Sequence, residues 1–181
     1  DYLHYRRDGW VNNTAPGESD YNEKSKDGGR LTVNWQPVES LSLDYSYDKS
    51  KVKMVQEYMQ FYRARLGIFE EELERATETR FPITPLEPTV VEQEGHAATV
   101  TWLLSDTMTL KSISSYRSME EDGHNNYAGV LYYNGLLDLY TVDQHQYSQE
   151  LQLIGGTDQF KWVGGLYYLK EDANKVRMDM F

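Results

Sequence analysis

From Leu41 the chain reads Leu41, Ser42, Leu43, Asp44, Tyr45, Ser46, Tyr47, Asp48, with every second residue apolar or aromatic and every residue between them polar. Successive side chains of a strand point to opposite faces, so this alternation specifies an extended strand with one apolar side. Just upstream, Leu31, Val33 and Trp35 alternate with Arg30, Thr32 and Asn34. Pro37 to Ser40 supply a tight turn between the two runs, so together they predict a β-hairpin.

The unit recurs. Ala98, Val100, Trp102 and Leu104 alternate largely with Thr99 and Thr101, and Ser105 to Thr107 turn the chain into a strand from Met108 to Arg117. A third hairpin runs from Gln146 to Ile154, turns through Gly155, Gly156, Thr157 and Asp158, and leaves through Phe160 to Leu169. With the opening Tyr2 to Trp10, about seven strands are expected. Two resist a clean pattern. Val163, Gly165, Tyr167 and Leu169 form a second apolar row beside Phe160, Trp162, Leu166 and Tyr168, and Arg6, Arg7 and Asp8 put charge on both faces of the first strand.

Connection lengths then separate the architectures. Turns inside hairpins take about four residues, whereas the segments between hairpins, Val11 to Asp27, Lys51 to Gly95 and Ser118 to His145, are far longer. All the long connections therefore fall at one end of the sheet, the pattern of an antiparallel up-and-down transmembrane β-barrel with short periplasmic turns and long extracellular loops. Trp35, Trp102 and Trp162 lie beside the short turns, and Tyr47, Tyr116 and Tyr168 near the opposite strand ends, as two interfacial aromatic belts would. On this reading Leu41, Leu43, Val33, Val100 and Leu151 face lipid, and Arg30, Asn34, Asp44, Asp48, Thr99 and Glu150 face the lumen. The rival is a soluble β-sandwich or lipocalin-like ligand binder, in which the apolar faces of the hairpins would meet one another.

Composition bears on these alternatives. No apolar run reaches the roughly 18 residues a membrane helix needs, and the mean hydropathy is −0.71. Barrel strands keep averaged hydropathy low, so both readings survive. A net charge of −11 makes a phosphate-binding basic face implausible, and nucleic acid is not an expected partner. The absence of cysteine removes disulfides and thiolate chemistry without placing the compartment.

The longest connection carries Val55, Met59, Tyr62, Leu66, Phe69 and Leu73 at steps of four and three, which predicts a helix from Val52 to Thr77. Glu70, Glu71, Glu72 and Glu74 fall near its end, and Pro82, Pro85 and Pro88 stop it. Such a helix either folds over its own loops or forms a lid.

Little points to chemistry. His4, His96, His124 and His145 show no metal-ligand spacing, so neither metal nor cofactor is expected. Glu120, Glu121 and Asp122 beside Gly123 read as a solvated loop rather than an acid and base pair, and Gly28 with Gly29 as loop or turn positions. No catalytic constellation can be named, and the chain is expected not to be an enzyme. Candidate ligand-binding groups are Tyr127, Tyr132, Tyr133 and Tyr140 in the third long connection, with Tyr58, Arg63 and Arg65 on the helix. Packing the loops together is the alternative role for all of them.

The stretches DGWVNN at 8–13, GGRLTVNWQPVESLSLDYSYD at 28–48, LKSISSYRS at 110–118 and SQELQLIGGTDQFKWVGGLYYLKE at 148–171 resemble barrel segments of TonB-dependent receptors. The resemblance implies a bacterial outer-membrane barrel of about 22 strands, of which these residues would form about a third. It also implies an N-terminal plug and a TonB box, which these residues do not include, and extracellular loops that capture a scarce nutrient, by default a ferric siderophore or similar iron chelate. The implied partners are outer-membrane lipid, the small-molecule ligand, and the TonB energy-transducing complex acting through the plug. Phe181 is expected to mark a break in a longer chain, because Lys175, Arg177 and Asp179 stand where a terminal assembly signal needs apolar residues.

Overall fold

The computed structural model describes residues 1–59, 76–79, 82–126 and 137–180. They form one seven-stranded antiparallel sheet in sequential order: β1 (Tyr2–Arg7), β2 (Lys24–Val38), β3 (Leu41–Met54), β4 (Thr89–Ser105), β5 (Met108–Asn126), β6 (Leu137–Gly156) and β7 (Lys161–Met180). Each strand pairs with its sequence neighbour, and β1 and β7 remain as edges, so the sheet is open. The expected all-β, up-and-down order of about seven strands is what the chain adopts.

The three short turns shrink to Glu39–Ser40, Asp106–Thr107 and the four residues 157–160. Bulges between Trp35 and Val38 and between Leu103 and Ser105 place one irregularity just before each two-residue turn. Pro37 sits within the first, where its missing N–H removes no regular ladder bond. Adjacent hairpins are stitched at this end by Leu103 N–H donating to the Ser40 carbonyl at 2.8 Å and Gly156 N–H to that of Thr107 at 3.1 Å.

The strands run far beyond their expected ends. β3 continues through Lys51 to Met54, β5 through Asn126, and β6 starts at Leu137, which shortens the long connections to residues 8–23, 55–88 and 127–136. Cross-strand pairs carry the extension: Lys49 meets Glu94 at 3.2 Å and Lys51 meets Glu92 at 2.6 Å. Each such exposed pair contributes only about 0–1 kcal/mol, but the backbone ladder beneath it continues unbroken. Gly28 and Gly29 consequently lie inside β2, Glu120 to Gly123 inside β5, and Tyr140 inside β6, instead of in loops.

The helix expected over Val52 to Thr77 is not found in its described parts. Val52, Lys53 and Met54 are β3, and residues 55–59 and 76–77 are not helical; its centre lies outside the described residues. Val52, the expected start of the helix, pairs within β3, and Val55, the first position of the apolar stripe, joins a small buried cluster.

Gly123 of β5 faces Tyr140 of β6, whose ring lies over the glycine. Its hydroxyl donates to Glu121 at 2.8 Å, and the Lys175 ammonium sits 4.6 Å from the ring centroid. A methyl at position 123 would occupy the ring's place. Gly123→Ala is therefore expected to displace Tyr140 and cost about 1–3 kcal/mol, as overpacking does, with faster amide exchange at Leu139 and Tyr140. Unchanged exchange at both would show that the ring moves aside freely.

Candidate functional site

Pairing partners share a face, so the register sorts every strand residue. One face carries Trp35, Leu43, Val100, Ser112, Leu151 and Leu166 in a single row across β2 to β7. The row of Leu41, Trp102, Leu110 and Leu153 lies on the short-turn side of it, and beyond that Met108, Gly155 and Trp162. On the other side come Val33 with Tyr45, Ala98 and Tyr168, then Leu31 with Tyr47, His96, Tyr116 and Tyr147. This belt is bare: Trp35 is 58 % exposed and Leu166 76 %. From Tyr147 to Gly155 it spans about 26 Å of strand at about 3.3 Å per residue.

The three tryptophans stand on this face at the short-turn end and the tyrosines at the other, as expected. Above the tyrosines the same face turns charged, with Lys49, Lys51, Glu92, Glu94, Asp143 and Asp172 in succession. At that boundary Tyr45 Oη lies 2.8 Å from His96 Nδ1 and Tyr116 Oη 3.0 Å from His145 Nδ1, while His145 Nε2 meets Asp143 at 2.8 Å. Elsewhere His4 Nδ1 lies 2.6 Å from Asp27 and His124 Nε2 3.5 Å from Glu87, and no metal-ligating group forms among the described residues.

The opposite face is polar. All six residues expected to face away from the belt share it: Asn34, Asp44, Thr99 and Glu150 lie in one row with Ile113 and Tyr167, and Arg30 and Asp48 in another with Gly95, Arg117, Gln146 and Glu171. Asn34 donates to Asp44 at 2.6 Å, and Arg30 approaches Asp48 at 3.6 Å. Val163, Tyr167 and Leu169 stand exposed on this face beside the unpaired edge of β7, forming the second apolar row visible in the sequence.

At the long-connection end Val11, Tyr21, Val55, Ile83 and Leu86 form the buried cluster. Tyr58, expected as a ligand contact on a helix, instead packs edge-on against Tyr21 with ring centroids 5.0 Å apart. Burial pushes the Tyr21 hydroxyl well above the ordinary tyrosine range. Asn13 bridges segments distant in sequence: its Nδ2 donates to the Ile83 carbonyl at 2.8 Å, and its Oδ1 accepts from the N–H groups of Ile83 and Ala15, each at 3.1 Å. Asn22, at φ 69°, gives its N–H to Gln56 at 3.1 Å and its carbonyl to Arg7 at 3.0 Å. Of the other ligand-binding candidates, Tyr140 lies on the polar face of β6, and Arg63, Arg65, Tyr127, Tyr132 and Tyr133 fall outside the described residues.

Glu18 clamps the proline-rich return: its Oε1 accepts from Thr84 Oγ1 at 2.7 Å and its Oε2 from Leu86 N–H at 2.8 Å. The Thr84 hydrogen bond first, and then that of Leu86, hold this carboxyl below the ordinary glutamate range. A lowered folded value means the clamp is fully present at neutral pH and is lost as pH falls through that folded value. Leu86 amide exchange, compared with neighbouring loop amides at matched intrinsic rates, is expected to accelerate only on acidification below the usual carboxylate range. Loss of protection well above it would remove Glu18 from that role.

Sequence reasoning did not single out Gly95, Arg117 or Gln146. Their place follows from pairing β4 with β5 and β5 with β6 in register, and period two identifies the face of a residue but not its neighbour across the sheet. No family model, curated protein or solved structure matches the chain.

Proposed function

We propose that these residues form wall and loops of an outer-membrane β-barrel transporter similar to the TonB-dependent receptors. The belt face meets lipid and the polar face lines the lumen. The long connections stand on the extracellular side and capture a scarce nutrient, by default a ferric siderophore or similar iron chelate. Further strands pair with β1 and β7 to close the barrel, and transport proceeds by movement of a plug coupled to the TonB complex. In that process these residues supply wall and recognition surface and no catalysis.

The observation that carries the reading is the bare belt on a single-layer sheet. A water-soluble sheet buries such a face against a second layer or a helix, because roughly 25 cal/mol accompanies each Å² of apolar surface removed from water. Here it meets no other element among the described residues. Tilted by about 40°, its 26 Å of strand gives a height of about 20 Å, near the roughly 25 Å of an outer-membrane belt. Its aromatic borders are those of two interfaces, and the opposite face holds groups that water can hydrate.

The test is expression together with flanking sequence in a Gram-negative host, followed by fractionation. The reading predicts partition into outer-membrane vesicles and a heat-modifiable β signal in detergent. A 181-residue chain that is monomeric, cooperative and soluble in plain buffer would instead favour the soluble sandwich or lipocalin-like binder.

A further inference from the structure

On the polar face the row Arg30, Asp48, Gly95, Arg117, Gln146 contains one residue without a side chain, and that gap is a notch of about 150 Å³. Gly95 is buried and stands between Asp48 and Arg117 in that row, beside the notch they line. Asp48 leans across it: a methyl at position 95 would sit 3.2 Å from Oδ2 and 3.3 Å from Oδ1. Gln93, Glu94, Ser118, Met119, Gln144 and Gln146 line the rest of it.

Of the three charged residues that line the notch, Glu94 is paired with Lys49 at 3.2 Å, and Asp48 and Arg117 are differently committed. Arg30 approaches Oδ1 of Asp48 at 3.6 Å, leaving Oδ2 on the glycine side. Arg117 makes no ion pair or hydrogen bond among the described residues. An acceptor and an unpaired guanidinium therefore flank one glycine from adjacent strands, with backbones about 10 Å apart at two strand spacings. That separation leaves room for a small group presenting a cation to Asp48 and a carboxylate to Arg117. Glutamine amides, which donate and accept, surround the space.

The approach from the long-connection side bears on the net charge of such a solute. By sequence, connections 8–23 and 55–88 carry eleven Asp and Glu against four Arg, and 127–136 carries no charge, so the long-connection side is net acidic. A field of that sign lowers the local concentration of net anions and leaves neutral solutes unaffected. A carboxylate destined for Arg117 therefore arrives on a molecule whose charge is balanced.

We propose that the Gly95 notch is a subsite for a zwitterionic group, an ammonium beside a carboxylate as in an amino acid, with the carboxylate on Arg117 and the ammonium on Asp48. The proposal rests on the barrel reading, in which the polar face is the surface a transported solute passes, and it names the chemistry of the cargo.

The test is a titration of the protein in detergent micelles or bilayer discs with glycine, acetate or methylammonium at constant ionic strength, following the backbone amide resonance at position 95. Glycine is expected to give a saturable shift with an affinity about threefold above that of acetate, the gain from one additional exposed ion pair. Arg117→Gln is expected to remove the response to glycine and acetate, Gly95→Ala to remove the preference for glycine by setting a methyl against the Asp48 carboxylate, and Asp48→Asn to abolish only that preference. An equal response to glycine and acetate, or one that survives Arg117→Gln, overturns the subsite. Lipid-phase labelling of the belt is read separately. Labelling that holds without a glycine response sinks the notch alone, whereas a glycine response without labelling sinks the barrel and leaves the notch standing as a surface site.

Discussion

Leu43→Arg is expected to prevent stable insertion into bilayers, whereas Thr99→Arg is tolerated. Leu43 stands in the middle row of the belt with Val100 and Leu151, paired with Trp35 across β2 and β3. At the bilayer midplane a lipid-facing arginine costs about 2–4 kcal/mol, a large part of the stability of a protein only marginally stable to begin with. Thr99 lies on the opposite face between Asp44 and Ile113, in the row that ends with Glu150 and Tyr167. An arginine there meets water and carboxylates, and its effect is expected within about 0.5 kcal/mol. The check is denaturant titration of folding into phospholipid vesicles for both variants. Were the sheet soluble with its belt in water, Leu43→Arg would be neutral or would raise solubility, so the sign of this one substitution separates the two environments.

Asn13→Ala is the second large effect, and it is local. The side chain satisfies both the N–H and the carbonyl of Ile83, together with the N–H of Ala15, at a residue only 6 % exposed. Removing it strands those groups away from water at about 1–3 kcal/mol for each one left unpaired. Connection 8–23 is then expected to detach from the proline-rich return, raising amide exchange at Ile83 and Ala15 by about a hundredfold or more, while exchange in β3 to β6 stays unchanged. Asn13→Asp keeps the acceptor but loses the donor, so an intermediate effect is expected. Acceleration spread evenly over the sheet would mean that the loop assembly and the strands unfold as one unit.

How far the fold could be read in advance follows from where period two persists. Between the short turns and the tyrosine row, one face of β3 is Leu41, Leu43, Tyr45 and Tyr47 and the other is Ser42, Asp44, Ser46 and Asp48, so strand, face and partner hairpin are all legible. Beyond Tyr47 the belt face turns to Lys49, Lys51 and Lys53, while the polar face acquires Val52 and Met54. The alternation reverses its sense, and a reader of hydrophobicity sees the strand end although the hydrogen-bond ladder continues. β5 repeats this at Glu120 and Asp122, where a charge cluster looks like a loop and is paired strand.

The site was legible by face and not by contact. Arg30, Asn34, Asp44, Asp48, Thr99 and Glu150 were assigned to one side by parity alone, and the register places them there. The sequence pattern ends the strand at Arg117, whereas β5 continues to Asn126, and Arg117 carries no signal until β4 is set beside it, when Gly95 becomes its neighbour. Tyr58 shows the opposite failure: an aromatic in a long connection suggests a ligand contact, yet here its ring supports Tyr21. Loop aromatics serve recognition and packing with equal chemical aptitude, and spacing alone does not distinguish them.

On the proposed function the belt lies in lipid and the opposite face in water. Single cysteines carrying a nitroxide at each position from Leu41 to Asp48 in turn, with collision rates measured for oxygen and for a water-soluble nickel chelate, test it most directly. Oxygen maxima are expected at Leu41, Leu43, Tyr45 and Tyr47 and nickel maxima at Ser42, Asp44, Ser46 and Asp48, in strict alternation. Nickel access that is high and uniform at all eight positions would contradict it and place both faces of β3 in water.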